Sequence, residues 1–334
     1  MSVSTPRYDV LDKEPFRWSD FFLRWEFILA LLLVGVLVMG TVISPYFLDI
    51  WTLSDATFNF SEKAIIALPM ALLILTREID LSVAAIIALA SLAMGLCAGL
   101  GYGPWTLAAI GMGVGLLCGM VNGVLVTKIG LPSIVVTIGT MSLFRGLAQV
   151  VLGDQAITTY PPGFSTVGQG YLLKSPPIAY SFALFLVLAA IFALVLHRTA
   201  TGRRLFAIGN NPTAALFSGI PVDRIKLALF SLTGLMAGLA AVLLTSRIGS
   251  TRSNIALGWE LDIITMVILG GVSIAGGVGS IGGVVLAVFV LGLATLALSL
   301  VNVPGIVISV LMGVLLIASI AAPIMIRRVM GYRA

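Results

Sequence analysis

The 334-residue sequence is poor in charge, cysteine and histidine. Only 10% of its residues are charged, whereas 59% are hydrophobic, and it contains two cysteines and one histidine. So little polar surface cannot cover a soluble globular fold. Cys97 and Cys118 lie in apolar runs, which excludes a disulfide framework or a thiolate metal site. His197 has no Cys, Asp or Glu near it in sequence, so we expect no metal site, no cofactor and no catalytic residue.

Nucleotide-binding motifs are missing as well. No lysine follows a glycine, so the chain has no GxxxxGK[ST] phosphate loop. The segment from Gly277 to Gly282 matches GxGxxG, but no strand is predicted before it and no acidic residue follows Asp262 to bind a ribose. Any use of ATP must therefore depend on another polypeptide.

What the sequence has in abundance is apolar runs, which predict an all-α polytopic membrane protein. A bilayer core needs about twenty apolar residues per helix. We predict about ten spans, at residues 27–43, 64–76, 81–100, 104–126, 132–152, 177–196, 227–244, 263–274, 281–300 and 303–326. These define a transmembrane domain at 27–326, flanked by an N-terminal tail at 1–26 and a C-terminal tail at 327–334.

The basic residues predict that both tails are cytoplasmic, because Lys and Arg concentrate on that side of a membrane protein. With ten spans, the inner side receives Arg7, Lys13, Arg17, Arg24, Arg77, Lys128, Arg198, Arg203, Arg204, Arg224, Lys226, Arg327, Arg328 and Arg333. The outer side receives Lys63, Lys174, Arg247 and Arg252. The net charge of +5 is thus a topology signal, and we expect the chain to bind a lipid bilayer and no nucleic acid.

Two of the predicted spans, 64–76 and 263–274, are short, and each runs into an irregular segment. Each of them either spans the membrane or is re-entrant, and we keep both as spans because dropping the first would reverse the charge bias. Paired short or broken helices in a transporter indicate the substrate path, because irregular backbone at membrane depth needs protein or a water-filled cavity around it. We therefore predict two broken or short helices near the path.

Polar side chains within the apolar runs are candidates for that path. They are Asp80, Ser82, Thr137, Thr140 and Arg145. Asp80 and Ser82 stand where a helix starts, so helix capping and solute contact both explain them. Arg145 must avoid lipid, and either a hydrogen-bond hub or a solute contact satisfies that need. Four glycines at a four-residue spacing, beginning with Gly111, predict close helix packing, either within the chain or between subunits.

A polar segment at 197–226 separates two apolar runs and contains one short helix. Asn211 and Pro212 suit the start of that helix, and Gly219 suits its end. We expect its apolar face to dock into a partner. The residues of this predicted docking helix are Asn211, Ala214, Ala215, Leu216, Phe217, Ser218 and Gly219.

Several segments resemble the permease subunits of bacterial ABC importers of the ribose type, a group with rhamnose, xylose, galactofuranose and autoinducer-2 permeases. LILTREIDLSV at 73–83 resembles that family's TGGIDLSVG segment, and PSIVVTIGTM at 132–141 resembles its VTLGTM run. The polar segment 197–226 is similar to its cytoplasmic coupling loop, and GGVGS at 276–280 to its late glycine-rich signature. Arg77 and Glu78 replace the family's usual Gly-Gly, which predicts pairing with a non-identical permease.

The resemblance implies an ATP-driven importer of the bacterial inner membrane, in which this chain is a permease and not an enzyme. The implied partners are a cytoplasmic ATP-binding subunit, a second permease in a homo- or heterodimer, and a periplasmic sugar-binding protein. The implied solute is a monosaccharide or sugar-like molecule. The alternative is a stand-alone secondary transporter or channel, which predicts intramembrane carboxylates for ion coupling, and few are present.

Overall fold

A computed structural model describes residues 25–329 of the chain. Most of the predicted tails, including Arg7, Lys13, Arg17, Arg24 and Arg333, lie outside the described residues. The described chain forms helices α1 (Trp25–Ile43), α2 (Ile50–Leu75), α3 (Val83–Gly99), α4 (Pro104–Thr127), α5 (Ser133–Leu152), α6 (Ser165–Gln169), α7 (Tyr180–Arg198), α8 (Ala200–Asn210), α9 (Pro212–Phe217), α10 (Val222–Ile248), α11 (Trp259–Leu269), α12 (Ile281–Leu300) and α13 (Gly305–Val329). Strands β1 (Tyr171–Lys174) and β2 (Pro177–Ala179) pair in an antiparallel hairpin, which the all-α prediction did not include.

Long apolar helices dominate the fold, as a polytopic membrane protein requires. Among residues 25–329, seven helices are long and apolar enough to cross a bilayer: α1, α2, α4, α5, α7, α10 and α12. Helix α3 and the 305–318 part of α13 are apolar but shorter. Every predicted span overlaps a helix. The number of ten crossings and the side of each terminus remain predictions.

The prediction of a short second span is wrong. The apolar run at 64–76 is the second half of α2, a continuous helix of 26 residues that begins at Ile50. At 1.5 Å per residue it is about 39 Å long, more than the roughly 30 Å of a bilayer core. The first half was not recognised because four polar residues lower its hydropathy: Asp55, Asn59, Glu62 and Lys63. Each of them has a polar partner on another segment of the chain.

The other short helix is confirmed. Helix α11 has 11 residues and ends at Gly270 and Gly271, of which Gly271 has a φ of 86° that favours glycine. The chain is then irregular until Ser280, whose hydroxyl accepts from the Gly283 N–H and so caps α12. Trp25 Nε1 donates to the Leu269 carbonyl at 2.7 Å and ties this end of α11 to α1.

Helices α4 and α10 pack through glycine. A Cβ on Gly119 would lie 2.9 Å from the Gly234 Cα, and one on Gly115 would lie 2.7 Å from the Gly238 Cα. Only glycine permits two helix backbones to approach this closely. The glycine stripe of α4 therefore serves packing within the chain. Around this pair, α2 is the central helix, since it contacts α7, α10, α11 and α12.

Candidate functional site

Asp80, Ser82 and Asn122 form a buried polar cluster between the start of α3 and the C-terminal part of α4. Asp80 Oδ1 accepts from the Ser82 backbone N–H at 2.8 Å and from the Ser82 hydroxyl at 2.6 Å. Asn122 Nδ2 donates to Ser82 Oγ at 2.8 Å. These bonds close an Asx turn before α3, because the carboxylate accepts from the N–H two residues further along the chain.

Sequence reasoning missed Asn122. Its position as a lone amide between Gly119 and Gly123 in an apolar helix was the available signal, since a buried amide needs polar partners. The Asn122 Oδ1 atom has no hydrogen-bond partner among the described residues.

The two predicted threonines are buried in α5 and bond to their own helix. Thr137 Oγ1 donates to the Ser133 carbonyl at 2.8 Å, and Thr140 Oγ1 donates to the Thr137 carbonyl at 3.4 Å. The Ser133 hydroxyl in turn accepts from the Ile79 N–H at 3.4 Å, next to Asp80. The threonine hydroxyl groups thus have hydrogen-bond partners within their own helix.

Arg145 is a hydrogen-bond hub. Its Nη1 donates to the carbonyls of Ser253 at 2.9 Å and Ile255 at 2.7 Å, and its Nη2 donates to the Ala84 carbonyl at 3.1 Å. It therefore joins α5 to α3 and to the irregular segment that precedes α11. All three acceptors are backbone carbonyl groups, which suits the fixed fork of a guanidinium.

Two cavities lie elsewhere in the described part of the chain. One of about 450 Å³ is lined by residues that include Arg247, Arg252, Asn254 and Trp259. A second of about 420 Å³ is lined by Asp55, Phe58, Asn59, Gln169, Tyr171 and Arg247. Neither contains a residue predicted for the path. Both are at the end of the molecule where α10 finishes, which the topology prediction places on the periplasmic side.

Tyr171 of the hairpin contributes a hydroxyl to the second cavity. Burial, together with the nearby Asp55 carboxylate, raises the pKa of Tyr171 above its ordinary value. The hydroxyl therefore stays protonated and donates to Asp55 Oδ1 at 3.2 Å. The rings of Trp51 and Phe58 contact Tyr171 edge-on and orient it.

Asp262 of α11 is paired with a lysine of α2. Lys63 Nζ lies 2.5 Å from Asp262 Oδ2, and both side chains are largely buried. The same ammonium group lies 5.0 Å from the centre of the Trp259 ring. The ion pair and the cation–π contact therefore join α2 to α11. Within residues 25–329, no cluster of three or more metal-ligating side chains exists.

The predicted short helix is α9, and its caps are confirmed. Asn211 Oδ1 accepts from the Ala214 N–H at 3.0 Å, Pro212 occupies the first turn, and Gly219 has a φ of 81°. A second amphipathic helix, α8, precedes it, which the sequence analysis did not identify.

The apolar side chains predicted to form one docking face of α9 differ in their exposure. Ala215 is only 4% exposed and packs against Ile208 and Val222 of the same chain, so it is not available to a partner. Leu216 and Phe217 are 58% and 86% exposed. Helix α9 is thus fixed to its own chain through Ala215 and presents Leu216 and Phe217 outward.

Comparison with known proteins identifies the family to which this chain belongs. Residues 52–320 match the family described as branched-chain amino acid transport system / permease component. The chain belongs to this permease family. It is 35% identical over 302 residues to the autoinducer 2 import system permease protein LsrD of Photorhabdus temperata, covering 89% of this chain and 90% of the relative. It is 38% identical over 300 residues to the protein of that name from Escherichia coli, covering 88% and 90%. No solved structure matches the chain.

The resemblance inferred from the sequence motifs is therefore confirmed. The permease is a multi-pass subunit of an ABC importer in the bacterial inner membrane, and it is not itself an enzyme. ATP hydrolysis belongs to a separate subunit, and a periplasmic binding protein delivers the solute.

Proposed function

We propose that the permease imports autoinducer 2 or a closely similar small sugar-like molecule, as one half of a heterodimeric pathway. The observation that carries this proposal is identity of 35% to 38% with autoinducer 2 permeases over about nine-tenths of both chains. Hydroxyl and amide groups, together with Arg247, surround the second outer cavity, and such groups suit a polyhydroxylated solute. Arg77 and Glu78, in place of the Gly-Gly of the resembling family, support a non-identical second permease.

The topology belongs to the same proposal. We infer ten crossings with cytoplasmic tails, in which α11 and the irregular chain 270–280 together make one crossing. The distribution of Lys and Arg supports this arrangement. Dropping a single crossing before α8 would move Arg203, Arg204 and Arg224 to the outer side and reverse that bias.

In this proposal, the polar residues predicted for the path stabilise the wall of the pathway. They are Asp80, Ser82, Thr137, Thr140 and Arg145. Their hydrogen bonds lie within the chain, so their role is to hold α3, α4 and α5 in register. The solute then enters through the outer cavities beside Arg247, where a binding protein would release it.

In this proposal, α9 transmits the movement that ATP hydrolysis drives from the ATP-binding subunit to the permease. The two exposed apolar side chains, Leu216 and Phe217, would be buried in the ATP-binding subunit, since a short capped helix transmits force only when it is packed on both sides. Ala215 supplies the packing on the permease side.

The experiment is reconstitution of the permease in proteoliposomes with an ATP-binding subunit, a second permease and a periplasmic binding protein. Uptake is compared for radiolabelled autoinducer 2, ribose and leucine. We expect ATP-dependent uptake of autoinducer 2 and little uptake of leucine. Uptake that needs neither ATP nor the binding protein would instead identify a secondary transporter or channel. Preference for leucine would contradict the proposed solute and agree with the family's description.

A further inference from the structure

Three segments of the chain meet at the base of α9. They are the linker 76–82 between α2 and α3, the last residues of α8, and the glycine-rich loop after α11. The Gly277 N–H donates to the Leu75 carbonyl at 3.0 Å, which joins the loop to the end of α2. A Cβ on Gly209 would overlap the backbone of Leu75 and Gly277, so α8 is packed directly onto both. The two irregular segments are therefore in contact with the segment that leads into α9.

Arg77 holds the chain just before α9. Its Nε donates to the Gly209 carbonyl at 2.7 Å and its Nη2 donates to the Asn210 carbonyl at 2.7 Å. These carbonyl groups end α8, where a helix offers unpaired acceptors and a partial negative charge. The next residue, Asn211, is the cap of α9. The guanidinium is thus bonded within two residues of that helix.

The backbone of Arg77 has a conformation that glycine prefers. Its φ is 69°, in the left-handed region that disfavours residues with a Cβ. The stem of Arg77 also occupies the space where Gly276 has no side chain, since a Cβ there would lie 2.5 Å from the Arg77 Cγ. An unfavourable backbone conformation persists where surrounding contacts compensate for it, and here the two carbonyl bonds do so.

Glu78 holds the chain just after α9. Its carboxylate forms an ion pair with Lys226 Nζ in α10, and both side chains are mostly buried. Lys226 is seven residues beyond Gly219 and lies near the start of α10, the helix that follows α9. Neighbouring residues of one linker therefore bond to both flanks of α9, one before it and one after it.

We propose that Arg77 and Glu78 form a clasp that fixes α9 to the α2–α3 linker and carries its displacement into the membrane domain. The clasp continues through Ile79 to Asp80, which bonds to Ser82 at the start of α3. Displacement of α9 would thus reach α3 and, through Asn122, α4. This inference rests on the proposed docking of α9 to the ATP-binding subunit. Arg77 and Glu78 are positioning residues and do not contact the solute.

The first variants remove the guanidinium and replace Arg77 with residues that tolerate its positive φ. Arg77→Gly supplies the residue that suits the positive φ, and Arg77→Asn keeps a side chain that also tolerates it. We expect both to reach the membrane at normal abundance. Lys128→Gly is the control, because Lys128 is exposed at the end of α4 and its removal deletes one positive charge without breaking a side-chain contact found in the structure.

The second variants test the other arm by charge exchange. Glu78→Lys and Lys226→Glu each place like charges together, whereas the double variant restores an opposite pair in reversed order. We expect the single variants to lose coupling and the double variant to regain most of it. Recovery of coupling in the double variant identifies a direct interaction between the two side chains. If each substitution only damaged the structure locally, the losses of the two single variants would add in the double variant.

Two measurements are made on each variant of the full importer. The mobility of α9 is read from a spin label on Ser218→Cys, with Cys97→Ser and Cys118→Ala in the background. Coupling is read as solute imported per ATP hydrolysed, with autoinducer 2 as the probe. For Arg77→Gly and Arg77→Asn we expect a more mobile label and a fall of at least about fivefold in solute imported per ATP.

The outcomes separate the clasp from the proposed function. An immobile label and unchanged coupling in both Arg77 variants would overturn the clasp, and so would an equal loss in Lys128→Gly. If the wild-type importer takes up no solute with ATP, the proposed function fails. The spin label then still decides whether Arg77 fixes α9, since its mobility does not depend on transport.

Discussion

The guanidinium of Arg247 makes two hydrogen bonds to the carboxylate of Glu62, at 2.8 Å from Nε to Oε1 and 3.0 Å from Nη2 to Oε2. Glu62 is fully buried, and the pair joins the centre of α2 to the last turn of α10. The same Arg247 side chain borders both outer cavities. This ion pair therefore borders the two cavities through which, in the proposed function, the solute would enter.

Removing one partner of this pair should destabilise the permease strongly. Glu62→Gln leaves a guanidinium without its counter-charge, and breaking a buried pair from one side costs about 3 kcal/mol or more. We expect Arg247→Met to have a similar effect, and the double variant to lose less than the sum of the two. Thermal unfolding in detergent measures this, with exposed Lys174→Met as the neutral control. Additive losses would mean that the two side chains do not interact.

The close approach of α4 and α10 predicts that Gly119→Ala is poorly tolerated. The added Cβ would meet the α10 backbone, and overpacking of this kind costs about 1–3 kcal/mol. Gly113→Ala is the matched control on the same helix, because a Cβ there meets nothing within 4 Å. The thermal midpoints and membrane levels of the two variants should separate clearly. Equal behaviour would show that the helices can move apart freely.

The carbonyl contacts of Arg145 predict that Arg145→Leu lowers both stability and uptake. The carbonyl groups of Ser253 and Ile255 lose their side-chain donor, and each buried acceptor left without one costs about 1–3 kcal/mol. Arg145→Lys should recover only part of the loss, since an ammonium cannot reproduce the fork. Membrane abundance and uptake are measured together. Normal values for the leucine variant would contradict the role of Arg145 as a hub.

The divided face of α9 predicts opposite effects at neighbouring positions. Phe217→Asp should leave the permease at normal abundance and abolish co-purification of the ATPase, because Phe217 is exposed in the chain. Ala215→Asp should instead lower abundance, since it would place an unpaired charge among Ile208 and Val222. Quantitative blotting and affinity co-purification distinguish the two. Retention of the ATPase by Phe217→Asp would mean that energy enters elsewhere.

The inferred topology is tested with a reporter that is active only in the periplasm. Fused after Arg204, in α8, it should be silent, because α8 is inferred to lie in the cytoplasm. Fused near Gln169, in α6, it should be active. Activity after Arg204 would refute the ten-crossing arrangement.

The sequence by itself was sufficient for the class of protein, for most helices and for the caps of α9. Apolar runs of membrane-spanning length leave few alternatives to a helical bundle, because every backbone group in lipid must be bonded internally. The caps were readable because Asn211, Pro212 and Gly219 act on their own neighbours in the chain. The family motifs were also contiguous, and the comparisons confirm the permease family that they indicate.

Only the tertiary structure decided which polar residues pair and which side chains face outward. The first half of α2 was hidden because partners remote in the chain, Arg247 and Asp262, compensate the charges of Glu62 and Lys63. Composition also cannot show that Ala215 faces inward while Phe217 faces outward, since both are apolar. The contacts of Arg77 with Gly209 and Asn210 span more than 130 residues of chain. Such contacts depend on how helices pack in three dimensions, and no local pattern of residues encodes them.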